Sequence, residues 1–181
     1  MGTAKQPQPV KLIASVFAGS SSLLESACHR LEEIYGSVDY QSEQLPFDHT
    51  DYYRPEFGPG LKRIIMAFEQ LVDPGDMAAI KQQTNFLESE WSIKSSESSK
   101  ERRQVNIDPG YLSLSKLVLA TTKNHAHRIY LSDGIYAEVT LHYRDGAFRS
   151  FPWTYPDYAG PRYCALFAEI RNIYHRQLRG L

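Results

Sequence analysis

The chain contains little cysteine and tryptophan, with two residues of each among 181, and it has no long run of apolar residues. Cys28 and Cys164 lie far apart and outside any C-x-x-C or zinc-ligand spacing, which predicts two reduced, buried thiols. The longest apolar runs, such as residues 64–68, are too short to cross a bilayer, and residues 1–9 lack the apolar region of a signal peptide. We therefore expect a cytoplasmic protein that does not bind membranes.

Net charge is also nearly absent, because 20 Lys and Arg stand against 21 Asp and Glu. This balance excludes a disordered polyelectrolyte and argues against a protein that binds nucleic acid mainly through charge. The charge is unevenly distributed: residues 1–90 carry 7 basic and 13 acidic side chains, whereas residues 91–181 carry 13 and 8. Either the two halves attract each other, or the second half holds a basic pocket for an anionic ligand.

What the chain does contain is enough apolar surface for a core, with 42% hydrophobic residues and 12 tyrosines. We expect a single compact domain over residues 1–181. The order strand, helix, strand, strand, helix, strand over residues 1–107 predicts an α+β fold with a ferredoxin-like βαββαβ half, and an α/β protein with a mixed sheet is the alternative. The strands are expected at residues 10–18, 37–45, 61–71 and 104–107, the helices at 22–35 and 74–91, an insertion loop at 46–60 and a polar connector at 92–103.

The second part of the chain, residues 108–181, is predicted to form an antiparallel meander and a terminal helix packed on the first part. A turn at residues 108–110 begins it, and residues 112–122 read either as a helix or as a strand. Asp-Gly pairs at 133–134 and 145–146 have the chemistry of two-residue hairpin turns, and they join strands expected at 127–131, 135–143 and 147–151.

Four strings in this order resemble one family, the uncharacterised bacterial domain of unknown function 4416. They are FDHTDYY (47–53), NIDPGYLSLSKLVLATTKN (106–124), HRIYLSDGIYAEVTL (127–141) and PWTYPDY (152–158). The resemblance covers nearly the whole chain, but it implies no activity. Some members carry the label of GTP-binding protein, which this chain does not support, because Gly19 is followed by SSSLLES without the lysine of a phosphate-binding loop.

The first of these strings concentrates groups that bind cations. Asp48, His49 and Asp51 either hold a divalent metal through oxygen and nitrogen or cap a local turn with their side chains. Their neighbours Tyr52 and Tyr53 are expected to line a ligand site.

A second candidate is the densest cationic segment, which contains Lys116, Lys123, His127 and Arg128. Arg128 and Lys123 can hold a phosphate or a carboxylate through charge-assisted hydrogen bonds. The alternative is a solvated surface face.

Two carboxylates are the candidate acid or base groups. Alternation along residues 135–144 places Glu138 on a polar strand face, opposite Arg128, which predicts an ion pair between them. If that pair is buried, Glu138 is a candidate acid or base. Asp108 either caps the turn that Pro109 begins or presents its carboxylate at a strand end, where sites often form.

The stiff segment around Trp153 and Tyr155 either stacks on a ligand or covers a sheet edge. Together these features favour a small anionic ligand, such as a nucleotide or a phosphorylated metabolite, in a polar, tyrosine-lined site. That site is expected where the 46–60 loop, Asp108 and the Glu138 strand face meet. No cofactor, reaction or oligomeric state follows from the sequence, and two alternatives stay open: a protein-interaction module and an RNA-binding ferredoxin-like domain.

Overall fold

The computed structural model describes residues 2–47, 54–94 and 101–180. Its helices are α1 (Ser21–Tyr35), α2 (Arg54–Phe57), α3 (Met77–Glu90), α4 (Pro156–Ala159) and α5 (Pro161–Leu178). Its strands are β1 (Val10–Ala18), β2 (Val38–Gln41), β3 (Leu45–Pro46), β4 (Lys62–Val72), β5 (Ser92–Lys94), β6 (Glu101–Arg103), β7 (Val105–Leu112), β8 (Lys116–Thr121), β9 (Ile129–Ser132), β10 (Ile135–Arg144) and β11 (Ala147–Ser150).

One nine-stranded sheet joins the two halves of the chain, in the order β11-β10-β8-β7-β1-β4-β2, with β3 beside β4 and β9 beside β10. Every pairing among the described strands is antiparallel, which confirms the α+β prediction and leaves no place for the mixed sheet of the alternative. β5 and β6 form a separate hairpin, so part of the segment predicted as a connector is ordered; residues 95–100 lie outside the described residues.

The sheet separates two apolar cores. Side chains on one face of the sheet, such as Val16 of β1, pack with α1 and α3. Side chains on the other face, such as Ile13 of β1, pack with α5. β1 is buried at every position, because both of its faces are covered. We call the two sides of the sheet the α1/α3 face and the α5 face.

The predicted turn at residues 108–110 is wrong, because these residues lie inside β7 and pair with β1. The backbone N–H and C=O of Ile107 point away from β1, to side chains of α3. Because backbone groups alternate along a strand, those of Pro109 also point away from β1 and toward β8. Proline has no N–H, so β7 loses one possible hydrogen bond to β8 and none to β1. The β7–β8 ladder accordingly begins at Gly110, where an added Cβ would lie 2.3 Å from the Val118 carbonyl oxygen.

Both Asp-Gly turns adopt the predicted form. Asp133 and Asp145 have φ angles of 50° and 51°, and the glycines after them have 77° and 78°, as type I′ turns require. The predicted meander needs a correction, since β8 pairs along one edge of β10 while β9 and β11 pair with its two ends on the other edge. A bulge between Val139 and Leu141 also breaks the expected alternation: Leu141 joins the α5 core, whereas Ile135 joins the α1/α3 core.

Candidate functional site

A group of connected charges, of which Lys81 and Glu88 are buried, lies along the half of β7 that β8 leaves unpaired. Lys81 and Glu88 stand two turns apart on α3 and therefore share one face of that helix. The Ile107 N–H donates to Glu88 Oε1 at 2.7 Å, and Lys81 Nζ donates to the Ile107 carbonyl at 2.9 Å. Two side chains of α3 thus take the hydrogen bonds that a neighbouring strand would otherwise make.

Asp108 is a partly exposed carboxylate next to these buried groups. Its Oδ1 lies 3.3 Å from Lys81 Nζ, and its Oδ2 accepts a bond of 2.8 Å from Asn106 Nδ2. The Asp108 side chain is 34% exposed, whereas that of Lys81 is 6% exposed. The half of β7 that has no β8 partner, which we call the opening between β7 and β8, therefore presents an oriented carboxylate next to buried partners.

Arg103 joins this group to two other elements. It donates to Glu56 of α2 at 2.8 and 3.0 Å, to Glu88 of α3 at 2.9 Å and to Asn106 of β7 at 3.2 Å. Its hydrogen bonds hold the pKa of Glu56 below the usual value, while burial raises the pKa of Glu88. We refer to Lys81, Glu88, Arg103, Asn106 and Asp108 together as the β7 cluster.

A buried ion pair stands beside this cluster on the α5 face. Arg63 of β4 donates to Asp157 of α4, and both side chains are at most 5% exposed. The Arg63 guanidinium lies 3.9 Å from the ring centre of Phe47 and 5.4 Å from that of Tyr158. Burial raises the pKa of Tyr158, whose hydroxyl is therefore neutral around physiological pH.

The predicted pair of Arg128 and Glu138 forms, and it is buried. Arg128 Nε donates to Glu138 Oε2 at 2.7 Å, and the two side chains are 4% and 2% exposed. The same carboxylate oxygen lies 3.1 Å from His127 Nε2. Arg128 also donates to the Lys123 carbonyl, so its guanidinium is used within the chain and is directed inward. We call Glu138, Arg128 and His127 the β10 cluster.

Trp153 covers the edge of β10 between β9 and β11. Its Nε1–H donates to the Val139 carbonyl at 3.0 Å, and the Thr154 hydroxyl donates to the Thr140 carbonyl at 2.6 Å. The Trp153 indole stacks on the His127 ring, with the ring centres 5.3 Å apart, and on the Phe151 ring, with the ring centres 4.7 Å apart. Trp153 and Thr154 therefore lie against the β10 edge, as the edge-cover interpretation expects, while stacking on a ligand stays a prediction; Tyr155, 45% exposed, precedes α4.

Residues 152–158 connect the edge of β10 with the Arg63–Asp157 pair, and we call them the bridging segment. Trp153 and Thr154 bind β10, while Asp157 binds Arg63 of β4. Since β8, β7 and β1 lie between those strands, the bridging segment crosses the α5 face over the middle of the sheet. The β7 cluster, in contrast, takes Lys81 and Glu88 from α3 on the opposite face of the sheet.

The remaining predicted residues do not assemble around one ligand. Lys116 begins β8 and Lys123 follows its end, so they lie roughly 20 Å apart. Asp108 and Glu138 belong to separate clusters, with no hydrogen bond between them in the described part of the chain.

Within the described ranges, no group of three or more His, Cys, Asp or Glu is placed to hold a metal ion. Five predicted residues lie outside the described residues: Asp48, His49, Asp51, Tyr52 and Tyr53.

The sequence reasoning missed most of the β7 cluster. Arg103 stood in a segment interpreted as a polar connector, and Lys81 and Glu88 resembled ordinary helical surface charges. One signal was present: Lys81, Thr84 and Glu88 recur on the helical stripe that also carries the apolar residues of α3, and all three are buried.

Among the described residues, no helix is long and apolar enough to cross a membrane. A family model described as a domain of unknown function, DUF4416, matches residues 8–174. No curated protein and no solved structure matches the chain.

Proposed function

We propose that this chain, which belongs to the DUF4416 family, binds a small polar ligand in the opening between β7 and β8. The observation that carries this proposal is Asp108, a carboxylate held by Lys81 and Asn106 and yet 34% exposed. A ligand hydroxyl or amine would donate to Asp108. The sequence and the geometry assign no reaction to this site.

The energetics of the β7 cluster support a binding role. Buried ion pairs add little net stability, because desolvation of the charges offsets their attraction. The cluster does hold the Asp108 carboxylate in one orientation at an opening, and pre-organised polar groups of this kind bind ligands with less loss of entropy.

The ligand class that we propose first is a nucleotide or a phosphorylated metabolite. Lys81 supports this ligand class. Its ammonium group has three N–H donors, and the bonds to Ile107 and Asp108 use two of them. Arg128 and Lys116 do not contribute to this opening, because Arg128 belongs to the β10 cluster and Lys116 begins β8 away from it. The hydroxyl groups of such a ligand would complement Asp108.

Thermal unfolding and calorimetry with a ligand panel test this proposal. The panel contains nucleotides, sugar phosphates and carboxylates, each with and without Mg²⁺. A ligand at a hundred times its Kd should stabilise the protein by about 2.7 kcal/mol, which raises Tm by roughly 5–10 °C for a domain of this size. The Asp108→Asn variant should lose this shift.

The matched control is Asp145→Asn, which changes an exposed hairpin carboxylate, 77% exposed, and should keep the shift. If no compound stabilises the wild type, or if Asp108→Asn responds as fully as the control, the proposed site is wrong.

Two alternative functions remain as weaker proposals. An RNA-binding sheet needs an open face for stacked bases, and here α1 and α3 cover one face and α5 the other. An interaction module is favoured by exposed apolar side chains on β9, where Ile129 is 72% and Tyr130 56% exposed.

We also infer a ferredoxin-like arrangement for the first part of the chain. The antiparallel order β7-β1-β4-β2 with α1 and α3 on one face supports it. A cytoplasmic location is proposed on the two free cysteines, Cys28 and Cys164, which suit a reducing compartment.

A further inference from the structure

An open groove runs between β11 and α5, and no residue of either polar cluster lines it. Its volume is about 480 Å³, and it is lined by residues 146–150 of the hairpin and by small residues of α4 and α5. This volume lies within the range of known ligand sites. The groove follows a strand at the end of the sheet order.

The outer edge of β11 offers backbone hydrogen bonds. A two-residue turn makes its flanking residues, Arg144 and Ala147, a hydrogen-bonded pair, and such pairs alternate along the ladder. The N–H and C=O groups of Phe148 and Ser150 therefore point away from β10. In the described part of the chain no strand pairs with this edge, so an added strand would find these groups available.

The two faces of an added strand would meet different chemistry. Phe148 packs in the α5 core, so residues of an added strand on the same face would lie over Ala165 and Ala168 of α5. Neither alanine fills the space beside the edge, and Ala165 is exposed. Arg149 follows Phe148 along β11, and among the described residues that line the groove it is the only charged one.

We propose that this groove binds an extended peptide that pairs with the outer edge of β11. An apolar side chain of the peptide inserts over Ala165 and Ala168, and an acidic side chain next to it in sequence pairs with Arg149 across the strands. This is recognition by strand addition, in which the main chain supplies affinity and alternate side chains supply specificity. It does not depend on the ligand proposed for Asp108.

Selection from a phage-displayed library of random peptides on the full chain tests this inference. Selected peptides should alternate apolar and acidic residues. Their synthetic forms should bind the wild type, protect the Phe148 and Ser150 amides from hydrogen exchange, and bind Asp108→Asn equally well.

Two variants and a matched control locate the binding. Ala165→Trp fills the groove at an exposed position and should abolish binding, whereas Ala126→Trp, on an exposed loop, should not. Arg149→Glu should weaken binding about tenfold, since a reversed cross-strand pair costs about 1.4 kcal/mol.

The inference is overturned if no peptide family is enriched, or if the selected peptides bind Ala165→Trp as tightly as the wild type. It is also overturned if the groove is filled by a second copy of this chain, seen as a concentration-dependent dimer that Ala165→Trp dissociates.

Discussion

Replacing Asp157 by asparagine breaks its buried ion pair with Arg63. The carboxylate has two roles, since one oxygen accepts from Arg63 and the other accepts from the Tyr158 N–H at 2.9 Å. Asparagine keeps a carbonyl oxygen for the Tyr158 amide, but its NH2 group replaces the oxygen that accepted from Arg63, so the negative charge and that acceptor are lost together. The Asp157→Asn variant therefore leaves a guanidinium buried among aromatic rings without a counter-charge.

The expected cost follows from the burial of the pair. The Arg63 and Asp157 side chains are 5% and 4% exposed, so solvent cannot replace the missing partner. Removal of one member of a buried pair costs about 3–5 kcal/mol, which lowers Tm by roughly 6–20 °C in a chain of this size. Asp157→Ala should cost about 1 kcal/mol more, because the Tyr158 amide also loses its acceptor.

Urea and thermal unfolding, followed by circular dichroism, measure these differences. Asp145→Asn serves as the exposed control and should change the free energy of unfolding by less than about 0.5 kcal/mol. The double variant Arg63→Met with Asp157→Leu removes both charges and should be more stable than Asp157→Asn alone. The reasoning is refuted if Asp157→Asn costs no more than the control, or if the double variant is the less stable of the two.

Three further predictions concern the strand ladder and the two clusters. Gly110→Ala places a methyl carbon 2.3 Å from the Val118 carbonyl oxygen and should cost about 3 kcal/mol in urea unfolding; a cost near zero would contradict the β7–β8 register. Glu138→Gln leaves Arg128 buried without its counter-charge and should cost about 3 kcal/mol, with a change in the fluorescence of the stacked Trp153; wild-type stability and emission together would exclude the buried pair. The pKa of Glu56 lies below 4.5 because Arg103 donates to it, so Glu56→Gln should be less stable than the wild type above pH 4.5. This difference in stability should vanish as the pH falls through the lowered pKa of Glu56 in the folded protein. A difference that persists in strong acid would exclude the charge of Glu56 as its source.

The spacing of apolar residues was sufficient to predict those helices and strands that pack against the sheet or the helices in a regular way. β1 is apolar at most positions because both of its faces are buried, and α5 shows the helical stripe that packs on the sheet. The Asp-Gly turns were predictable because two successive positive φ angles restrict the residue types strongly. In each case the signal is local.

The error at residues 108–110 has a tertiary cause. Asp-Pro-Gly is typical of turns, and nothing nearby in sequence shows that Pro109 faces a gap in the sheet. The bulge between Val139 and Leu141 was equally hidden, because the polar residues around it continue an apparent alternation.

The two clusters differed in how far they could be predicted. Glu138 lies on β10, and Arg128 directly precedes β9, the strand that a tight hairpin joins to β10, so their nearness in sequence and the hairpin were enough to predict the pair. The β7 cluster draws on α3, β6 and β7, and its members meet only when the sheet has formed. Sequence separation, rather than unusual chemistry, therefore concealed the larger cluster.

The bridging segment has a consequence for synthesis of the chain on the ribosome. Arg63 and Asp157 lie 94 positions apart, which corresponds to about 5–20 s of translation. During that interval β4 exists without the carboxylate that makes burial of its arginine favourable, so the α5 face cannot close over a nascent N-terminal half. Completion of the fold must therefore wait for the last quarter of the chain, and a product that stops before the bridging segment would keep this face open to solvent and to chaperones.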